Sequence, residues 1–315
     1  MLAIVIPYYK LTFFEATLQS LADQTDKRFM VYIGDDASLE SPDDLLEKYQ
    51  QKFDFEYYRF EENLGGTSLV KQWERCIAMT KDEEWVMILG DDDVPCLNLV
   101  ASFYANYSNI DLNSINVVRF ATVVINDMGD VLSSVYKHPV LEKTTDFLCR
   151  KFSKKTRSSL SEYIFRRSKV IERTFRDFSL AWHSDDMAVL EFSDLENCYS
   201  INEATMSVRV SFHSITGDSG LKIKKNQATY EFCGVLFREY SALFSREQKK
   251  IILKKLEQAF FNIPLLKNYL ILSSYYCSQI GLGELIQFHF RLLKPGAIII
   301  LKKAKLFGFV KKIIS

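Results

Sequence analysis

Three carboxylates stand in a row at Asp91-Asp92-Asp93, directly after the apolar run 85–89 and Gly90. Adjacent carboxylates repel one another. A hard divalent cation relieves that repulsion and leaves coordination positions for phosphate oxygens. A metal–diphosphate corner is the chemistry such a triplet supports, and a solvated acidic turn is the alternative for a triplet standing alone. Three earlier stretches carry groups of matching use. Pro7-Tyr8-Tyr9 offers aromatic faces on which a base could stack. Asp35-Asp36 offers a carboxylate to accept an imide N–H. Asn63-Leu64-Gly65-Gly66 is a turn at the end of a third run. Farther on, Asp185-Asp186 follows Trp182-His183-Ser184. A carboxylate there could take the proton of an attacking hydroxyl, although acids in a first helical turn also favour the helix dipole without any catalytic role.

The elements that must hold these groups are written in the hydrophobic pattern. Residues 2–7, 29–33, 55–60 and 85–89 have the length and β-branched content of buried strands. Between them, 11–24, 42–53 and 68–79 have helical spacing or capping, with Ser41 as N-cap and Pro42 at the first position of the second helix. This alternation predicts a doubly wound parallel sheet, and such sheets bind ligands beyond the carboxyl ends of their strands. The four stretches above stand at those ends, so jointly they border one crevice.

The alternation continues past Pro95 with a helix over 97–107 and a strand over 116–126 that Met128-Gly129-Asp130 turns into a hairpin. Residues 137–160 read as a polar loop with a short helix. A strand over 161–165, a helix through Val170 and Ile171, a helix over 187–193 and two short strands, 198–201 and 204–210, follow. Beyond about residue 220 the pattern is helical, over 227–243, 246–262, 265–281 and 284–293.

Composition removes several classes of function. Of 315 residues 48% are hydrophobic, which is ample for a core. Lys plus Arg equals Asp plus Glu at 40 each, so no global field attracts nucleic acid. The six cysteines have no paired spacing, which argues against zinc and a disulfide framework and fits a reducing compartment. No run reaches the ~18 apolar residues of a membrane span, and the first residues lack the pattern of a signal peptide. A cytoplasmic protein is expected, or one peripheral on the inner face of the membrane. For the latter, residues 297–314 mix apolar side chains with Lys in the manner of a helix lying on anionic lipid. The same pattern suits a helix packed back onto its domain.

Taken together, IVIPYY (4–9), LQSLADQT (18–25), VYIGDDAS (31–38), ENLGG (62–66) and WVMILGDDDVP (85–95) resemble the nucleotide-sugar-binding half of inverting family 2 glycosyltransferases of the GT-A fold, over about residues 1–100. The resemblance implies an α/β fold, a Rossmann-like and mostly parallel sheet flanked by helices over 1–220. Within it, 1–100 would bind the nucleotide sugar and 101–220 would form the acceptor side. A helical extension that could associate with a membrane would follow over 221–315. It also implies site roles. Tyr9 is the base-stacking ring, with Pro7 and Tyr8 beside it. Asp36 accepts the base N–H, with Asp35 the other candidate, and Asn63, Gly65 and Gly66 complete the nucleotide site. Asp91 lies near ribose or a water, while Asp92 and Asp93 hold Mn2+ or Mg2+. Gly90 stands where the family often has its first Asp, so the register of the triplet stays open.

By the same resemblance Asp186 is the base, with Asp185 holding a neighbouring hydroxyl or supporting the helix start. His213 is a third metal ligand or diphosphate contact, or an ordinary loop residue, because Ser211 stands where the family's Arg-x-His pattern has its arginine. Arg209 is the alternative phosphate contact. His183 reads as packing, and Lys71 and Arg75 as a solvated helix face. The implied reaction moves a sugar from a UDP-sugar to a glycan or glycolipid acceptor of a surface polysaccharide or O-antigen. A nucleotidyltransferase is one rival, but it would place a Gly-rich, basic phosphate loop where Tyr8-Tyr9 stands. The other rival is a non-catalytic nucleotide-sugar or glycan-binding protein, which needs no base.

Overall fold

Every residue of strand β1 (Leu2–Tyr8) is apolar or aromatic, and all but Pro7 are buried. Such a strand needs cover on both faces. Leu2, Ile4, Ile6 and Tyr8 pack into a layer with Phe14, Leu18 and Leu21 of the helix Phe14–Ala22 and with Phe103 of the helix Leu99–Leu112. Ala3 and Val5 pack into the opposite layer with Val70, Cys76 and Ile77 of the helix Leu69–Ile77. The two-residue period of a strand thus assigns Tyr8 to the core before any ligand is considered.

The structure, a computed structural model, describes residues 1–211, 217–303 and 305–314. It divides into two compact units, Met1–Phe147 with Thr156–Asp218, and Leu148–Lys155 with Ser219–Ser315. In the first unit β2 (Phe29–Asp35), β3 (Phe55–Arg59), β4 (Trp85–Ile88), β5 (Val94–Pro95), β6 (Val117–Ile125), β7 (Leu141–Lys143), β8 (Tyr163–Arg166) and β9 (Asn197–Arg209) join β1 in one sheet. The order is β3-β2-β1-β4-β8-β6-β9-β5, with β7 on β9.

β1 pairs in parallel with β2 and β4, and β2 with β3. The register runs from Leu2 opposite Phe29 to Tyr8 opposite Asp35, and from Leu2 opposite Trp85 to Val5 opposite Ile88. Parallel strands in this register end at one edge, so the residues after Tyr8, Asp35 and Ile88 emerge together. Past β4 the sheet changes character. β8 is antiparallel to β4 and β6, β5 and β7 are antiparallel to β9, and β6 is parallel to β9. The sheet is therefore mixed but mostly parallel, as expected, with the parallel pairs among β1 to β4 and between β6 and β9.

Two other expectations are modified. The segments 198–201 and 204–210 are one strand with a register shift opposite Phe120 and Ala121. Asn202 sits at the irregularity and exchanges hydrogen bonds with the backbone of His138, at 2.9 and 2.8 Å. The hairpin expected after β6 is reduced to two isolated bridges, Thr122–Tyr136 and Ile125–Val131.

The second unit is helical, with Lys222–Glu239, Arg246–Asn262, Leu266–Tyr275 continued by a π turn over Tyr276–Ile280, Leu282–Leu292, Pro295–Lys303 and Phe307–Ile314. Phe152 joins it, its ring meeting Phe232 edge-on at 6.0 Å. The stretch 297–314, read from sequence as one amphipathic run, is divided between two short helices. Among the described residues no helix is long and apolar enough to cross a membrane.

Gly34 shows how tightly the first unit is closed beneath its ligand edge. A Cβ at this position would overlap Sγ of Cys76 and lie 3.0 Å from the Phe60 ring. Gly34→Ala is expected to cost about 1–3 kcal/mol in urea unfolding. Cys76→Ala in the same chain should recover most of that loss. An unchanged single variant would show that helix 69–77 yields at no cost.

Candidate active site

The common strand edge opens into a cleft of about 510 Å³. Of the residues singled out in the sequence, Pro7, Tyr9, Asp36, Asn63, Gly65, Gly66, Asp91 and Asp92 line it, whereas Tyr8, Asp35 and Asp93 do not. The reasons are local. Tyr8 points into the core, where its ring packs 4.7 Å from Phe14 and its hydroxyl donates to the Glu40 carbonyl at 2.7 Å. Asp35 is fully buried and accepts from Ser38 N, Tyr57 Oη and Arg59 Nη1 at 2.7–2.8 Å. Both are structural residues here, not lining residues.

Tyr9 is 39% exposed and presented on a fixed backbone. Its N–H and that of Lys10 donate to the same Asp91 oxygen at 2.8 and 2.9 Å, and its carbonyl accepts from Ser38 Oγ at 2.6 Å. Asp91, expected near ribose or a water, thus ties the end of β4 to the end of β1. Asp36 plays a similar part for the turn after β3. It accepts from Leu64 N at 2.7 Å and Gly65 N at 2.9 Å, and it pairs with Arg75. A carboxylate offers about four lone-pair positions, so Asp36 retains room for one more donor. Arg75 is not the solvated residue expected from sequence, because its guanidinium stacks on Phe60 at 3.9 Å while holding Asp36. Lys71 is exposed.

The triplet divides its work among three different surroundings. Asp93 is buried, accepts from Arg209 N at 2.9 Å and is bonded by Ser161. Arg209, the alternative phosphate contact, does not line the cleft. It packs over Phe13 at 4.4 Å and donates to the backbone carbonyls of Asp92, Asn126 and Asp127. Asp92 faces the cleft. Burial first, then the neighbouring charges of Asp93 and Asp91, push its carboxyl up to about 8. Burial also raises Asp91 and Asp93.

The geometry around Gly90 suits a divalent cation. Gly90 has no Cβ, and the place one would take lies 3.0 Å from Asp92 Oδ1 and 3.3 Å from Asp93 Oδ2. Two carboxylate oxygens therefore converge over Gly90, where burial and the neighbouring acids disfavour the ionised form of Asp92. Among the described residues no group of three or more His, Cys, Asp and Glu side chains is arranged to hold a metal. Protein-bound Mg2+ and similar ions need only one or two carboxylates when phosphate and water supply the rest, so the pair fits. His213 lies outside the described residues.

Asp186 does not line the cleft. It is buried in the first turn of the helix Ser184–Phe192, and Oδ2 meets His183 Nδ1 at 2.7 Å. Asp185 is half-buried beside it. His183, read from sequence as packing, is thus the partner of Asp186, and it has a left-handed φ of 76°. Leu180 and Ala181 just before it also have positive φ, 62° and 51°. Such backbone is costly for residues with a Cβ and persists where packing fixes it. Here the turn Ser179–Ala181 packs on helix 69–77.

That helix also lines the cleft with Leu69, Gln72 and Trp73, and Phe13, Ser159, Ser161 and Ser211 contribute from elsewhere. Sequence reading missed these. Apolar helical residues read as core, and isolated serines carry no pattern.

Residues 3–149 match the model of glycosyl transferase family 2. The match covers a little under half of the chain, the part that contains β1 to β4 and the acidic triplet. No curated protein sequence matches the chain. Among solved structures, TarS 1–349 of S. aureus in complex with UDP-GlcNAc is 14% identical with a TM-score of 0.67, covering 99% of this chain and 90% of that one. The mannosyltransferase PcManGT from Pyrobaculum calidifontis, in complex with GDP-Man and Mn2+, is 12% identical with a TM-score of 0.54, covering 99% and 82%. At these identities the likeness establishes the fold, which is the GT-A fold expected from the motifs.

The raised Asp92 carboxyl gives the chain a pH signature. Asp92 prefers its proton in the folded chain, so between the ordinary carboxylate range and about pH 8 the folded state holds a proton that the unfolded state releases. Stability then falls as pH rises through that window. The melting temperature without added metal should decline from pH 5 to 8.5, and Asp92→Asn should flatten the decline. A slope unchanged by the substitution would assign it to other groups.

Proposed function

We propose that this enzyme transfers a sugar from a UDP-sugar to a hydroxyl of a glycan or glycolipid acceptor, with inversion at the anomeric carbon and with Mn2+ or Mg2+ held by Asp92 and Asp93. The observation that carries the reading is the cleft itself. An exposed Tyr9 and an incompletely satisfied Asp36 border it together with Asp92, an acid whose ionised form is disfavoured there. The UDP-GlcNAc of TarS and the GDP-Man and Mn2+ of PcManGT support a nucleotide-sugar donor and a cation in a chain of this fold.

In this reading the base stacks on Tyr9 and its imide N–H takes the remaining acceptor position of Asp36. The turn over Asn63, Gly65 and Gly66 flanks the nucleotide. Asp91 contributes by holding Tyr9 in place. The cation, when bound, stabilises the negative charge that develops on the departing diphosphate. The acceptor oxygen attacks the anomeric carbon, the bond from that carbon to the diphosphate oxygen breaks, and the hydroxyl proton passes to Asp186. His183 orients Asp186, and Asp185 supports the helix start or a neighbouring hydroxyl. Residues 1–100 form the donor half and 101–220 the acceptor half, from which Ser159, Ser161 and Ser211 reach the cleft. The acceptor belongs to surface polysaccharide or O-antigen synthesis.

Two measurements test the chemistry. Chelation with EDTA is expected to abolish sugar transfer and Mn2+ to restore it, with UDP affinity in Mn2+ falling about ten-fold or more in Asp92→Asn. Full turnover in chelator would remove the cation from the mechanism. Asp186→Asn is expected to lower kcat by about 10²–10⁴ while UDP binding by calorimetry stays unchanged. Normal turnover would place the base elsewhere.

A further inference from the structure

The second unit carries a charge imbalance that the whole chain conceals. Across 315 residues acids and bases are equal. From residue 263 onward Lys267, Arg291, Lys294, Lys302, Lys303, Lys305, Lys311 and Lys312 stand against a single acid, Glu284. That acid is already met by Lys250 at 3.0 Å. Among these bases Arg291 pairs with Glu257 at 2.9 Å.

The same segment exposes apolar side chains in an ordered way. On the helix Leu282–Leu292, Leu282, Ile286 and Phe290 recur every fourth residue and are 65%, 53% and 63% exposed. Spacing of this kind puts them on one face. The rotation of the helix is fixed from the other side, where Phe288 and Leu292 are fully buried and Arg291 bonds Glu257 and the Tyr276 hydroxyl. A second apolar area lies where the Phe309 ring meets Tyr269 at 6.1 Å, on the helix that also exposes Leu266 and Leu270. Lys294, Lys302, Lys305 and Lys311 of the same segment are exposed.

We propose that this unit docks on an anionic lipid surface, with Leu282, Ile286 and Phe290 entering the acyl boundary and the lysines meeting headgroup phosphates. An ordered exposed apolar face in a segment rich in Lys and poor in acid has the composition of a surface that rests in the interfacial plane. A second copy of the chain would bring the same positive charge to the contact, which repels. The sequence pattern alone drew attention to 297–314. The fold moves the inserting residues to the helix before it and leaves the final helices to supply charge and Phe309.

The test is sedimentation of the full chain with vesicles of phosphatidylglycerol and phosphatidylcholine, against vesicles of phosphatidylcholine alone. Binding is expected only with the anionic vesicles, weakening as salt rises. Ile286→Glu with Phe290→Glu should lower partitioning about ten-fold or more, with circular dichroism and melting temperature unchanged because both sites are exposed. Lys294→Glu with Lys311→Glu should lower it by about ten-fold or more and shrink the salt dependence. The proposal is overturned if the full chain stays in solution with anionic vesicles. It is equally overturned if light scattering finds a dimer that Phe290→Glu dissociates while vesicle binding persists. Lipid binding is read without sugar transfer, so its failure leaves the transferase reading standing.

Discussion

One oxygen of Asp91 receives two backbone N–H groups, those of Tyr9 and Lys10, and the cleft depends on that meeting. Parallel pairing brings β1 and β4 to the same edge, but it does not say how the chain beyond each strand is held. Asp91 supplies the tie, a charge-assisted pair of hydrogen bonds in a partly buried place. With it made, Tyr9 has a fixed backbone, and Asp92 is left beside two other acids at the floor of the cleft. Burial of three adjacent carboxylates is tolerated because each meets a different environment: amides for Asp91, a serine and a strand N–H for Asp93, and the open cleft for Asp92.

The arrangement of the first hundred residues was legible because its pattern is local. Unbroken apolar runs, helical spacing between them and polar groups at their ends are features of neighbours in the chain. They foretold β1 to β4 and the crevice beyond them. The local pattern kept both members of two pairs as candidates, and the resemblance favoured Tyr9 and Asp36, the two that line the crevice. Tyr8 and Tyr9, or Asp35 and Asp36, differ by one residue, and in extended chain one residue is the difference between two faces. The strand period settles Tyr8. Asp35 required Tyr57 and Arg59 on a neighbouring strand, which no spacing announces.

The region past Pro95 was less legible because its partners are distant. Strand β9 looks like two strands until β6 is beside it, since only the parallel pairing carries the chain across the irregularity at Asn202. Arg75 looks solvated until Asp36 is placed next to it, 39 residues away. Trp73 lies in the helix predicted over 68–79, and only the fold turns it to the cleft. His183 and Asp186 are three residues apart and could have been paired from sequence, but only the left-handed backbone at His183 makes that contact within one helix start.

Arg209 fastens two borders of the cleft at one point. Its guanidinium takes the carbonyls of Asn126 and Asp127, where β6 ends, and that of Asp92 in the acidic turn, while its own N–H holds Asp93. A planar fork with five donors can reach several carbonyls at once, and an ammonium group presents a single point of charge. Replacement by lysine would keep the charge and lose the geometry. The acidic turn and the end of β6 would then be free to drift apart by different amounts. Position 209 is therefore one where a substitution that looks conservative on paper removes a joint rather than a charge, and where sequence drift in descendants of this chain should be narrower than at the exposed residues nearby.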